Sequence, residues 1–67
     1  MKVAYEFPRL IKQMRKEQEI SQSQLSELTG IGQHMISDYE RALHVPSLEI
    51  ADKLFRGLGY KLVVEKI

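Results

Sequence analysis

The chain contains no cysteine, so neither a disulfide nor a thiolate metal site can hold it together. It has no apolar run near the ~20 residues that cross a bilayer, and no long apolar segment of a secretion signal. The expectation is a cytoplasmic protein with no membrane partner. There is no glycine-rich phosphate loop, no cysteine nucleophile and no carboxylate pair beside a histidine on a rigid cleft, so no enzyme and no cofactor are expected. His34 and His44 lie ten residues apart, without a cysteine or carboxylate at ligand spacing, which argues against a metal site. The net charge of +1 falls well short of the basic balance that would by itself announce nucleic-acid binding. No repeat, low-complexity tract or flexible linker divides the 67 residues, so a single domain over residues 1–67 is expected. A domain this small buries only about 60% of its unfolded surface. With no covalent staple, oligomerisation is the remaining common support, and a homodimer is the expectation.

Among the residues present, Ile20 to Arg41 say the most. Ser21 followed by Gln24 fits a capping box ahead of the apolar positions Leu25 and Leu28, so a helix is expected from Ser21 to about Thr29. Gly30 stands where the chain must leave that helix at positive φ, and Ile31 drops back toward the core. From Gly32 or Gln33 a second short helix places Met35, Ile36 and Tyr39 on one side, with Gln33, His34, Ser37 and Asp38 on the other. Two short helices about a tight turn make a helix-turn-helix. An outward row of hydrogen-bonding side chains suits the base edges of the DNA major groove.

The flanks read more simply. A first helix is expected to begin near Pro8 and to turn Leu10, Ile11 and Met14 inward, ending at Gln18 and Glu19 without a glycine. Pro46 and Ser47 announce a further helix, with Ser47 as cap, Glu49 at the positive end of the dipole and Leu48, Ala51, Leu54, Phe55 and Leu58 as the buried stripe. Gly57 and Gly59 punctuate its end. Tyr60 to Ile67 alternates and is rich in β-formers, which predicts a strand over residues 60–67. Its partner would be the alternating segment Val3 to Phe7 or a second chain, where it would serve for dimerisation.

The segments Leu10 to Arg15, Ile20 to Ile31, Ile36 to Arg41 and Pro46 to Glu49, in this order and spacing, resemble the Cro/C1-type (XRE) helix-turn-helix family over residues 9 to 59. The resemblance implies a mainly α, lambda-repressor-like bundle of four to five short helices, here followed by the short C-terminal β-strand. It further implies that Gln22 clamps a backbone phosphate and that Gln33, His34 and Ser37 read base edges. Asp38 occupies a position that often faces DNA, and departs from the basic or amide residues common there; it would accept from a cytosine amino group or point away. Arg15 and Glu40 match a structural ion pair that ties the first helix to the end of the recognition helix. Arg41 and the loop to His44 match a segment that approaches phosphates, with Ala42 standing where the family has glycine. Lys12 lies on the first helix where a phosphate should also pass. A helix-turn-helix with a short terminal strand is similar, more loosely, to HipB-like antitoxins.

Two functions follow as expectations. One is a dimeric, sequence-specific repressor that binds double-stranded DNA at a pseudo-palindromic operator. The other is an antitoxin that holds a protein toxin and autoregulates its operon. Several of these residues also have structural uses: Ser21 and Gln24 cap a helix whether or not DNA is bound, Met35, Ile36 and Tyr39 fill a core, and Lys61, Glu65 and Lys66 keep a strand edge soluble.

Overall fold

The computed structural model describes residues 3–63, with side chains from residue 6 onward. Among the described residues there are four helices, α1 (Val3–Glu17), α2 (Gln22–Thr29), α3 (Gln33–Glu40) and α4 (Leu48–Gly57). α1 packs on α3, and α2 packs on both α3 and α4. The core between them holds Ile11, Leu25, Ile36 and Leu54, all fully buried, with Phe7, Ile31, Tyr39, Ala51 and Leu58 around them.

α1 begins at Val3 rather than near Pro8, and so takes in the segment whose alternation had suggested a strand. The cause is Phe7. Phe7, Ile11 and Met14 recur at helical spacing, and the stripe carries the Phe7 ring into the core. There it meets Tyr39 edge to face at 6.4 Å and Phe55 edge to face at 5.6 Å, the arrangement that aromatic quadrupoles favour. Pro8 is the sixth residue of α1, past the first turn whose N–H groups lack an intrahelical partner, so the helix gives up one i to i−4 hydrogen bond there. Leu10, expected inside, stands 38% exposed.

Three of the helices close in one way. At the end of α1, Ile20 N–H donates to the Arg15 carbonyl (3.0 Å) and Glu19 N–H to that of Lys16 (3.0 Å). At the end of α3, Leu43 N–H donates to Asp38 (2.8 Å) and Ala42 N–H to Tyr39 (3.1 Å). At the end of α4, Tyr60 N–H donates to Phe55 (2.8 Å) and Gly59 N–H to Arg56 (3.0 Å). These are Schellman closures, and each requires a left-handed residue. Glu19 (φ 56°) and Ala42 (φ 60°) take that conformation without being glycine, whereas Gly59 (φ 85°) takes it freely.

The expected C-terminal strand is not found among the described residues. Tyr60 to Val63 pair with no strand, and the remaining residues of that segment, 64–67, lie outside the described residues. The Tyr60 amide is already spent on closing α4, and the intrachain partner Val3 to Phe7 is helical, so neither element of a sheet is available there. One further expectation changes. Leu48 is 74% exposed instead of belonging to the buried stripe, because the inward arc of α4 and its cap is filled by Ala51, Leu54, Phe55 and Leu58. Gly57 is the last residue of α4, at the end the sequence marks, and it lies at the crossing with α2: a Cβ there would sit 2.5 Å from Thr29 Cγ2.

Candidate nucleic-acid interface

The site is built on the turn between α2 and α3. Ser21 caps α2 reciprocally: its hydroxyl accepts from Gln24 N–H (3.0 Å), and its own N–H donates to Gln24 Oε1 (2.8 Å). Gly30 leaves the helix at φ 76°, with its N–H on the Ser26 carbonyl. Ser26 Oγ then donates to the Ile31 carbonyl (2.6 Å), and Ile31 N–H donates to Thr29 Oγ1 (3.2 Å), so side chains satisfy the backbone of the turn. Ile31 is drawn into the core and the direction of α3 is set.

α3 starts at Gly32 with no side chain capping it. Its first N–H groups therefore point outward at the positive end of the helix dipole, an arrangement suited to a phosphate. Ile36 and Tyr39 lock the inner face. Gln33 and His34 are exposed and Ser37 half-buried on the opposite side, so the three residues expected to read bases share one open surface. The His34 ring folds back toward the turn, where a Cβ on Gly32 would lie 3.4 Å from its Cε1 and Nδ1.

At the far end of α3, Glu40 accepts three hydrogen bonds: from Arg15 Nε (2.7 Å), Arg15 Nη2 (2.9 Å) and Gln22 Nε2 (3.1 Å). Arg15 Nη1 also donates to the Ile20 carbonyl (2.9 Å). Burial pushes the Glu40 carboxyl up, but the bonds from Arg15 and Gln22 and the charges of Arg15 and Lys12 outweigh it and hold Glu40 below the ordinary carboxylate value. Arg15 is raised by its bond to Glu40, against its own burial. Gln22 and Lys12, both assigned to phosphates, are thus gathered around this pair, and the Gln22 amide has a definite orientation at the first turn of α2.

Asp38, Arg41 and His44 form a second cluster. Arg41 Nη2 meets Asp38 Oδ1 at 3.0 Å, and His44 Nε2 lies 3.7 Å from Asp38 Oδ2, an ion pair when the imidazole is protonated. The left-handed Ala42 turns the chain back over α3 and so sets His44 beside Asp38. The sequence reading placed these residues on the DNA side but missed their mutual contact. The i, i+3 spacing of Asp38 and Arg41 on a helix was the available signal. Among the described residues no three His, Asp or Glu side chains converge as a metal site would need, and no helix is long and apolar enough to cross a membrane.

Comparison with known proteins agrees with this geometry. A family model described as helix-turn-helix matches residues 11–64. Two curated proteins of Arabidopsis thaliana are similar over 91% of this chain: multiprotein-bridging factor 1b at 38% identity and multiprotein-bridging factor 1a at 34%. The chain spans only 43% of the length of each. No solved structure is a significant match.

Proposed function

The chain belongs to the Cro/C1-type helix-turn-helix family, and from that premise we propose that it reads DNA sequence with α3 and regulates transcription. The observation that carries this reading is the open row Gln33, His34 and Ser37 on a helix whose other face is fixed by Ile36, Tyr39 and Glu40. A helix so held presents side chains to base edges without first paying an ordering cost. Gln22, Lys12, Arg41 and His44 are the proposed phosphate contacts, gathered about the far end of α3. Two copies on a pseudo-palindromic operator, with recognition helices about 34 Å apart, would act as a repressor by covering promoter DNA.

The test is selection of duplexes from a randomised pool, followed by titration across a salt series. Enrichment of one sequence is expected, with log affinity falling linearly in log salt by about 0.9 per phosphate contact. Lys12→Gln should reduce that slope, and Gln22→Ala should weaken binding with little change in slope. Failure to enrich any sequence, or a salt-independent affinity, would sink the reading.

A second reading rests on a different surface. Val45 and Leu48 are 76% and 74% exposed at an apolar groove of about 270 Å³ that reaches Phe7, Pro8 and Ala51. Adjacent exposed apolar side chains favour a protein partner. The names of the two plant relatives speak of bridging proteins, and a toxin is the partner in the antitoxin form of this reading. Leu48→Ser should then abolish co-purification of a specific protein from the native host while leaving DNA binding intact. An unchanged set of co-purifying proteins would remove this reading.

A further inference from the structure

A carboxylate on a DNA-reading helix works against its surroundings, because phosphates and most base-edge atoms are acceptors. Asp38 is such a group. Its side chain is only 21% exposed, and it holds Arg41 at 3.0 Å and stands 3.7 Å from His44, both of which remain largely exposed at 63% and 60%. The acid is fixed against the helix, whereas the bases extend from the surface and can turn to another anion. The closure of α3 through Ala42 keeps this geometry, since the Leu43 amide bonds to the backbone carbonyl of Asp38 itself.

We propose that Asp38 couples base reading to phosphate grip, making it a specificity-determining residue. On DNA that offers no matching donor, Asp38 keeps Arg41 as its internal counter-ion, and the two charges cancel toward the backbone. On a site where a cytosine amino group lies under α3, Asp38 accepts from that base and Arg41 turns to a phosphate. The wrong sequence therefore loses both a base contact and a cationic one. This inference rests on the DNA-reading function proposed above. An ordinary surface pair at i, i+3 would steady the helix slightly and add nothing to discrimination.

The experiment compares wild type, Asp38→Asn, Arg41→Gln and the double variant on a random-sequence duplex and on the duplex enriched by selection with wild type, over about 0.05 to 0.3 M salt. Circular dichroism melting confirms that all four fold. On random DNA, Asp38→Asn should steepen the log-log salt slope by about 0.9, which amounts to about fivefold tighter binding at 0.15 M salt relative to a 1 M reference. The double variant should lose that gain. Selection repeated with Asp38→Asn should exchange a cytosine for adenine at one position, since an amide side chain pairs with adenine. An unchanged slope for Asp38→Asn, or a gain that persists without Arg41, overturns the coupling while leaving DNA reading in place. Absence of salt-dependent binding in all four proteins overturns the proposed function, and this inference with it.

Discussion

Arg15 and Glu40 meet through two parallel hydrogen bonds, Nε to Oε2 at 2.7 Å and Nη2 to Oε1 at 2.9 Å, with their side chains only 11% and 3% exposed. Because Gln22 joins the same carboxylate, a single point fastens α1, the start of α2 and the end of α3. The pair orients the two helices of the motif relative to each other, and it does so in a domain too small to spare much stability.

Losing one partner would strand a charge. Arg15→Met or Glu40→Met alone should cost about 3 to 5 kcal/mol, while the double variant should cost clearly less than their sum, because a buried ion pair can be exchanged for apolar groups at little loss. Urea unfolding of the four proteins measures this coupling. Additive losses would mean that the contact contributes nothing beyond its separate parts.

The same pair predicts a pH dependence. Glu40 is depressed in the folded state, so its contribution is full above the ordinary carboxylate value of 4.5 and is lost as the pH falls through the lower folded value. Stability should therefore decline with acid below about pH 4.5, and Glu40→Gln should make that decline shallower. Melting curves taken between neutral pH and pH 3 would show whether the two acid limbs differ; identical limbs would assign the acid sensitivity elsewhere.

At the crossing of α2 and α4, Gly57 is required by space. Gly57→Ala should destabilise by about 1 to 3 kcal/mol, the usual cost of overpacking, even though alanine is the better helix former. Thr29→Ser removes the methyl group that a new Cβ would strike at 2.5 Å while keeping the hydroxyl that bonds Ile31. In that background the cost of Gly57→Ala should shrink or reverse. An equal cost in both backgrounds would show that α2 and α4 do not approach this closely.

What could be read from the sequence was mostly local. The Ser21 and Gln24 box, the Gly30 turn and the Ser47 cap, whose Oγ accepts from Ile50 N–H at 3.2 Å, depend on residues five or fewer positions apart. What could not be read depended on contacts between distant elements. Val3 to Phe7 is too short to separate alternation from helical spacing, and only the meeting of Phe7 with Tyr39 and Phe55 decides for helix. Leu10, Leu28 and Leu48 suit a buried stripe by type, yet all three are exposed because the inward arc of each helix is filled by other residues. The β-forming residues after Gly59 express a propensity that needs a pairing partner, and helix α1 removes the intrachain one. In the site, the bidentate pair of Arg15 and Glu40 spans helices and was approached through family likeness, whereas the contact of Asp38 with Arg41 lay in the local spacing.

Ala42 carries strain at φ 60°, a conformation that costs a residue with a Cβ about 1 to 2 kcal/mol. Ala42→Gly relieves it but also loosens the unfolded chain, so a net stabilisation of about 0.5 to 1 kcal/mol is expected. Glu19→Gly at φ 56° should behave alike. Destabilisation in both variants would argue that the side chains at these closures make contacts worth more than the strain.

The last prediction separates base reading from general affinity. Gln33 is exposed at the first turn of α3, and among the described residues its side chain finds no hydrogen-bond partner of the kind that occupies Gln22 at the start of α2. An amide there can present a donor and an acceptor together, the pattern that matches adenine in the major groove. Gln33→Ala should weaken binding to the selected duplex by about 1 to 3 kcal/mol and leave random-sequence affinity and the salt slope nearly unchanged. Because the substitution removes no charge and Gln33 contributes nothing to the core, a melting temperature close to wild type is also expected. Equal losses on both duplexes would show that Gln33 touches the backbone, and base reading would then fall to His34 and Ser37.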